Sequence, residues 1–272
     1  MSLSWWNGRL VPAAEVRIDP GDAGFLLGDG LFETLRADAG RPRDVAAHLD
    51  RLLAGLDRIG IGLPEDRETL AAAVADVADV ADIAGSAAGA ETTSRLRITV
   101  TRGSAGEPTR LITAAPYEPP AADLYRRGVA ALLLPQPWID SRSPLAGLKS
   151  LSYQANRLAL RRAEAAGAFE ALLLNQHGRL AEGTRTNVIL ALPDGLFTPP
   201  LADGCLPGTV RRRLLELGAV AERSLAPADL QAARGMLLTN SLIGVLPVGW
   251  IDGEKIPVAA SAAELHGLWG AI

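Results

Sequence analysis

The segment Glu118-Pro119-Pro120-Ala121-Ala122 constrains this chain most, because adjacent prolines remove backbone donors and interrupt regular pairing. Strand-like and helix-like stretches lie on both sides of it. Before it, Trp5–Leu10 with Asn7-Gly8 reads as a hairpin, and Gly28-Asp29-Gly30 leads into an alternating run, 31–36. Asp44 is expected to cap a helix whose Val45, Leu49, Leu52, Leu53, Leu56 and Ile59 share one face. An alanine-rich helix follows, then strands around Leu96, Ile98 and Val100 and over 110–117. After the prolines, the pattern predicts strands over 129–134, 171–174, 179–182, 187–192, 236–240 and 245–251. Helices are expected over 153–166, stopped by Gly167, and over 207–217, closed by Gly218. The expectation is two α+β domains, 1–117 and 123–272, joined by a linker at 118–122.

With 272 residues, 48% of them hydrophobic, each half has enough apolar material for a core. The net charge of −4 comes without a basic run, which argues against nucleic acid as a partner. The first ten residues hold two tryptophans and an Asn-Gly pair, not a charged segment followed by an apolar one, so no signal peptide is expected there. Asp76, Asp79 and Asp82 interrupt the apolar stretch 70–83, which reads as a surface helix and not as a membrane span. Cys205 is the single cysteine, so no internal disulfide forms and a reducing cytoplasm is the natural setting. His48, His177 and His266 are scattered, and no metal site is expected. Neither a dinucleotide-binding G-x-G-x-x-G between strand and helix nor a G-x-S-x-G hydrolase elbow is present.

Among 27 basic residues, only Lys149 and Lys255 are lysines. Surface charge is served equally by arginine, but a guanidinium stays protonated and forms no Schiff base, whereas an amine does. A lysine kept in so arginine-biased a chain is enriched for positions that need an amine. Lys255 lies in Asp252-Gly253-Glu254-Lys255, a solvated hairpin turn. Lys149 remains, with an ordinary surface lysine as the alternative.

Five strings, in order, carry a resemblance: Leu26-Leu27-Gly28-Asp29-Gly30-Leu31-Phe32-Glu33-Thr34, His48-Leu49-Asp50-Arg51-Leu52, Leu145-Ala146-Gly147-Leu148-Lys149-Ser150-Leu151-Ser152-Tyr153, Glu182-Gly183-Thr184-Arg185-Thr186-Asn187 and Leu206-Pro207-Gly208-Thr209-Val210-Arg211. The chain resembles the aminotransferase class IV family, the fold-type-IV pyridoxal-phosphate enzymes, over essentially its whole length. That resemblance implies an α+β two-domain fold, with a smaller N-terminal α/β sandwich and a larger C-terminal pseudo-barrel carrying the lysine. It implies pyridoxal 5'-phosphate held as a Schiff base on Lys149, with Glu182 facing the pyridine nitrogen so that the ring acts as an electron sink. A lone glutamate on a strand more often faces solvent; its place in Glu-Gly-Thr-x-x-Asn favours the cofactor role. Thr209 and Val210 open a helix whose N–H groups suit the phosphate, and the resemblance adds Arg51, Ser241 and Asn187 to the cofactor set. Helical geometry alone places Arg51 away from the apolar stripe, as a solvated arginine would be. Tyr153 is implied beside the ring hydroxyl, and a homodimer is the implied assembly.

Within that family, Leu238-Thr239-Asn240-Ser241-Leu242-Ile243-Gly244-Val245-Leu246-Pro247-Val248 resembles the string found in aminodeoxychorismate lyases. That implies loss of pyruvate from 4-amino-4-deoxychorismate to leave 4-aminobenzoate for folate synthesis. Arg110 and Arg185 are candidates for the substrate carboxylates, and Thr34 for orienting the substrate. Two alternatives stay open: a transaminase of branched-chain or D-amino acids using the same lysine and glutamate, and a relative that binds a ligand without chemistry.

Overall fold

A computed structural model describes residues 2–85 and 92–270. The chain separates into two compact units, Met1–Pro119 with Leu148–Ser152, and Pro120–Gly147 with Tyr153–Ile272.

In the first unit the elements are β1 (Leu3–Trp6), β2 (Arg9–Pro12), α1 (Ala23–Leu27), β3 (Gly30–Asp38), β4 (Arg41–Pro42), α2 (Val45–Arg58), α3 (Arg67–Gly85), β5 (Thr93–Ser104) and β6 (Glu107–Pro116). The strands form one sheet in the order β2-β1-β6-β5-β3-β4, and every strand pair in it is antiparallel. Alternation decides its faces. Leu31, Leu35, Leu96, Ile98, Val100 and Ile112 point one way, into a core they share with Leu49, Leu52 and Leu56 of α2 and with Leu70, Val74 and Val77 of α3. Each fully buried leucine here contributes about 1.5–3 kcal/mol. Phe32, Thr34 and Arg97 occupy the other face, since strand neighbours point oppositely.

The helix expected after Asp44 forms, but not by the expected cap. Asp44 takes a left-handed backbone conformation and its side chain bonds no helix N–H. Burial of the α2 face therefore carries the helix, as it commonly does where propensity and capping are weak.

The Lys149 segment was expected in the second domain. It belongs to the first unit, because Phe32 N–H donates to the Lys149 carbonyl at 2.9 Å and Leu151 N–H to the Gly30 carbonyl at 2.9 Å. Leu148 packs on the first unit's core. Two backbone hydrogen bonds of high sequence separation thus override chain order.

In the second unit the elements are α4 (Leu124–Arg127), β7 (Val129–Ile139), α5 (Gln154–Ala165), β8 (Glu170–Asn175), β9 (Leu180–Gly183), β10 (Asn187–Leu192), β11 (Gly195–Thr198), α6 (Thr209–Glu216), β12 (Ala221–Glu222), α7 (Asp229–Ala232), β13 (Gly235–Asn240), β14 (Gly244–Ile251), β15 (Glu254–Lys255) and α8 (Ala262–Gly270). The sheet runs β12-β11-β10-β13-β14-β7-β8-β9, with β15 pairing β14. The pairs β7·β8, β14·β7 and β11·β12 are parallel and the rest antiparallel. Buried side chains lie on both faces of the central strands. Leu172, Val188, Leu238 and Leu246 enter one cluster, while Ile189, Leu237 and Val245 meet α6 and α8 in another. Strands covered on both sides read as continuous apolar runs, which is why β8, β13 and β14 were legible. The helix at the end of the chain, α8, was not anticipated. Its sequence, AAELHGLWG, lacks a clear apolar stripe, and Leu265 and Trp269 find their partners only through the fold. Among the described residues, no helix is long and apolar enough to cross a membrane.

Candidate active site

In the first unit, Lys149 Nζ lies 4.5 Å from the centroid of the Phe32 ring, and the Arg97 guanidinium carbon lies 3.9 Å from the same centroid. Both contacts are cation–π attractions, and they put an amine and a guanidinium against one aromatic ring. Arg97 was not anticipated as a site residue. Its only trace in sequence was the polar phase of the β5 alternation, and the register Phe32↔Thr99 and Thr34↔Arg97 is what brings it to Phe32 and Thr34.

On the opposite face of β3, Glu33 is almost fully buried between two partners on α2. Arg51 grips it with two bonds, Nε to Oε1 at 2.7 Å and Nη2 to Oε2 at 2.6 Å. His48 donates from Nδ1 to Oε2 at 2.7 Å, the acceptor identifying that nitrogen as the one bearing hydrogen. Burial works against ionising Glu33, but the Arg51 charge and the bonds from His48 and Arg51 outweigh it and bring its pKa down to about 2. Burial also lowers the His48 pKa, against the pull of Glu33. A neutral ring agrees with its buried Nε2, which has no hydrogen-bond partner. Arg51 is therefore not the freely solvated arginine of the helical pattern; the carboxylate fixes its plane. Glu33 went unremarked in sequence because one acidic residue in an alternating strand looks like a solvent-facing one.

Arg110 is placed differently from the expectation of a substrate ligand. It is buried in β6, where Nε and Nη2 bond Glu65 at 3.1 and 2.8 Å and Nη1 bonds the Pro108 carbonyl at 2.6 Å. Its donors hold the fold.

In the second unit, Glu182 near the end of β9 accepts from Leu206 N–H at 2.8 Å through Oε2. It is half-buried and tied to the turn before α6, not displayed on a solvent face. Asn187 begins β10 and donates through Nδ2 to the Leu206 carbonyl at 2.8 Å. These two side chains pin the turn that carries Gly208, the N-cap of α6. A Cβ on Gly208 would sit 1.9 Å from Asn187 Oδ1, so only glycine allows this approach. No side chain caps α6, and its first-turn N–H groups at Thr209 and Val210 point as an anion-binding end does. Helix 207–217 was expected; it starts at Thr209 because Gly208 takes the extended N-cap conformation.

Tyr153 is the N-cap residue of α5, and its hydroxyl donates to the Thr184 carbonyl at 2.6 Å. Ser241 follows β13 in a loop that Asn240 closes. Asn240 Oδ1 accepts from Leu242 N–H at 2.9 Å and Ile243 N–H at 3.0 Å, and Nδ2 donates to the Arg185 carbonyl at 3.1 Å. Arg185 is partly exposed. Its guanidinium lies over Phe169 and donates to the Phe169 carbonyl at 3.0 Å. Cys205 is buried, which pushes its thiol pKa up to about 12, so it supplies no thiolate.

Each unit, taken by itself, holds groups of a kind that pyridoxal phosphate needs. The first unit offers an amine beside an aromatic ring. The second offers a carboxylate, a phenol, an uncapped helix start, and the Thr239 hydroxyl, which is buried without a partner at the register position of Asn187.

Comparison with known proteins agrees. The sequence model of amino-transferase class IV matches residues 30–251. The bifunctional aminodeoxychorismate lyase / D-amino acid transaminase of Mycobacterium tuberculosis is 30% identical over 288 residues, covering 95% of each chain. A putative branched-chain-amino-acid aminotransferase of Methanocaldococcus jannaschii is 29% identical over 264 residues, 92% of this chain and 88% of its own. The PLP-bound form of a hypothetical aminotransferase from Mycobacterium tuberculosis superposes with a TM-score of 0.88 at 27% identity, covering 99% of this chain and 98% of that one.

Proposed function

Because the chain belongs to the amino-transferase class IV family, has its α+β fold and is therefore a pyridoxal-phosphate enzyme, we propose that it is an aminodeoxychorismate lyase. In this reading it takes 4-amino-4-deoxychorismate to 4-aminobenzoate and pyruvate for folate synthesis, as a cytoplasmic homodimer. One observation carries the choice: the loop Asn240-Ser241-Leu242-Ile243-Gly244, closed by the Asn240 side chain, resembles the lyase string and departs from the Gly-Thr-Ala or Ser/Thr-rich strings of transaminases.

When bound, pyridoxal phosphate supplies an aldehyde that condenses with amines and a ring that withdraws electrons. Lys149 would provide the amine that holds it, and its freed Nζ would act as the base. Its Nζ accepts the proton from the amine-bearing ring carbon of the substrate. The carbon–oxygen bond to the enolpyruvyl group then breaks, that oxygen takes a proton from Lys149, and the released enol becomes pyruvate. The substrate ring is left aromatic, and no net oxidation occurs. Glu182 would keep a proton on the pyridine nitrogen, which would sustain the electron withdrawal. Thr209, Val210, Arg51 and Ser241 would hold the phosphate, Asn187 braces the turn ahead of α6, and Tyr153 would bond the ring hydroxyl. Arg97, beside Lys149 and Phe32, joins Arg185 as a cation for the substrate carboxylates, with Thr34 orienting the ring. Arg110 is left out of that set because Glu65 engages it.

A second reading is a transaminase of D- or branched-chain amino acids. Relatives of similar identity bear those names, and one of them bears both activities. The two differ after proton removal. A lyase expels a leaving group and needs no second substrate, whereas a transaminase leaves the amine on the cofactor. The purified, cofactor-loaded protein is expected to release pyruvate and 4-aminobenzoate in equal amounts from aminodeoxychorismate, faster than it transaminates D-alanine or L-leucine. Amination of the cofactor by either amino acid, with no pyruvate from aminodeoxychorismate, would establish the transaminase instead.

A further inference from the structure

Glu170, the first residue of β8, is a completely buried carboxylate for which the reaction above has no use. Five donors converge on it. Oε1 accepts from its neighbour Ala171 N–H at 3.0 Å, from Thr184 N–H at 3.0 Å and from the Thr184 hydroxyl in a short bond. Oε2 accepts from the Thr186 hydroxyl at 3.1 Å and, at longer range, from Arg185 N–H at 3.4 Å. The Arg185 guanidinium Nε is 3.9 Å from Oε2. Three successive residues of the connection between β9 and β10 thus turn their polar groups inward to one anion. Gly183 makes room for this: a Cβ there would stand 2.2 Å from Thr186 Oγ1 and 2.9 Å from Glu170 Cγ.

The outer side of the same connection faces site residues. The Thr184 carbonyl accepts from Tyr153 Oη and from Asn156 Nδ2 at 2.9 Å, and the Arg185 carbonyl accepts from Asn240, whose side chain shapes the loop holding Ser241. Glu182 lies just before this connection and Asn187 just after it. One carboxylate therefore sits behind a bend whose front touches Tyr153 and Asn240 and whose ends are Glu182 and Asn187.

We propose that Glu170 is a positioning residue of the active site: the 183–186 bend is moulded on its carboxylate, which thereby aligns Tyr153, Glu182, Asn187 and the 240–243 loop. It touches neither cofactor nor substrate in this role. The inference rests on the family's cofactor chemistry and on the site assignment above, but not on the lyase reading. Burial raises the Glu170 pKa, against the bonds from Thr184 and the Arg185 charge, so the group carries a desolvation cost that a purely hydrophobic residue at this core position would avoid.

The test compares Glu170→Gln and Thr184→Val with wild type. Glu170→Gln is nearly isosteric but puts an NH2 where one oxygen accepts, facing donors that cannot reverse at the backbone. Thr184→Val removes one hydroxyl at constant shape and keeps the experiment informative if the first variant fails to fold. Three readouts are taken: hydrogen exchange of the 183–187 amides in the cofactor-free protein, the pH titration of visible absorption in the loaded protein, and kcat with KM on whichever substrate the wild type turns over. Faster exchange at 183–187, a displaced absorption titration, and a ten- to hundred-fold fall in kcat with KM changed less than threefold are expected, since misplacement by about 1 Å costs up to about a hundredfold. A lower melting temperature with unchanged absorption titration and unchanged kcat in the folded variants would overturn the proposal and leave Glu170 a core residue. Exchange and absorption are read without substrate, so an erroneous lyase assignment leaves these results standing.

Discussion

Glu33 shows how much of one side chain's behaviour is set by what packs against it. Alone in an alternating strand it would be an ordinary carboxylate; between Arg51 and His48 it is a buried anion with a pKa of about 2. The linkage follows in sign and window. A folded-state pKa below the ordinary value of 4.5 means the ion pair stabilises the fold above about pH 4.5 and loses that contribution as pH falls through about 2. Its size is about 3 kcal/mol, from about 1.4 kcal/mol per pKa unit. Urea unfolding followed from pH 6 to pH 2 should therefore show a steep acid loss in wild type and a shallower one in Glu33→Gln. The variant should already be less stable at pH 6, because it leaves Arg51 half-paired. Equal slopes for the two proteins would mean that Glu33 is not the group responsible. Neither the pairing nor its strength could be read from the sequence, where the end of β3, the strand β4 and the start of α2 lie between Glu33 and Arg51.

At the scale of elements, the turn entering α6 couples two strands to a helix start. Asn187 on β10 and Glu182 on β9 both bond Leu206, and Gly208 passes against Asn187 too closely for any Cβ. The Gly208 backbone is extended, a conformation alanine adopts freely, so Gly208→Ala acts by overlap alone. Asn187 must swing away and give up its bond to Leu206, a disturbance of about 1–3 kcal/mol. Equilibrium dialysis should then show pyridoxal phosphate binding weakened about tenfold, with the melting temperature of the cofactor-free protein lowered by a few degrees. Undiminished affinity would separate this turn from the phosphate site. The helix itself was legible from Pro-Gly-Thr at its start and Gly218 at its end. The reason for glycine at 208 was not, because the atom it avoids belongs to a residue in another strand.

For the whole molecule, a ligand that binds only the folded state raises its stability by mass action, about 2.7 kcal/mol at a hundredfold excess over Kd. Pyridoxal phosphate should raise the melting temperature of wild type and of Lys255→Ala equally. It should raise that of Lys149→Ala much less, since Lys255 lies on the exposed hairpin of β14 and β15. An equal gain in all three would remove Lys149 from the site. That distinction between two lysines was already available from the sequence. So were the alternating strand around Leu96, the apolar run around Leu238, the apolar face of α2, and the order of the five strings that carry the family resemblance. Each is a local pattern, written in the spacing of residues along a few turns or a few strand positions. What only the tertiary structure decided are the relations between segments far apart in the chain. Backbone pairing carries Lys149 into the first unit and beside Phe32, the ring that Arg97 also contacts. Arg110 pairs with Glu65 in the packed sheet, and Glu170 accepts from the 183–186 bend. Hydrogen bonds and ion pairs of this kind depend on which surfaces the packed core brings within about 3 Å, and a one-dimensional pattern does not encode that distance.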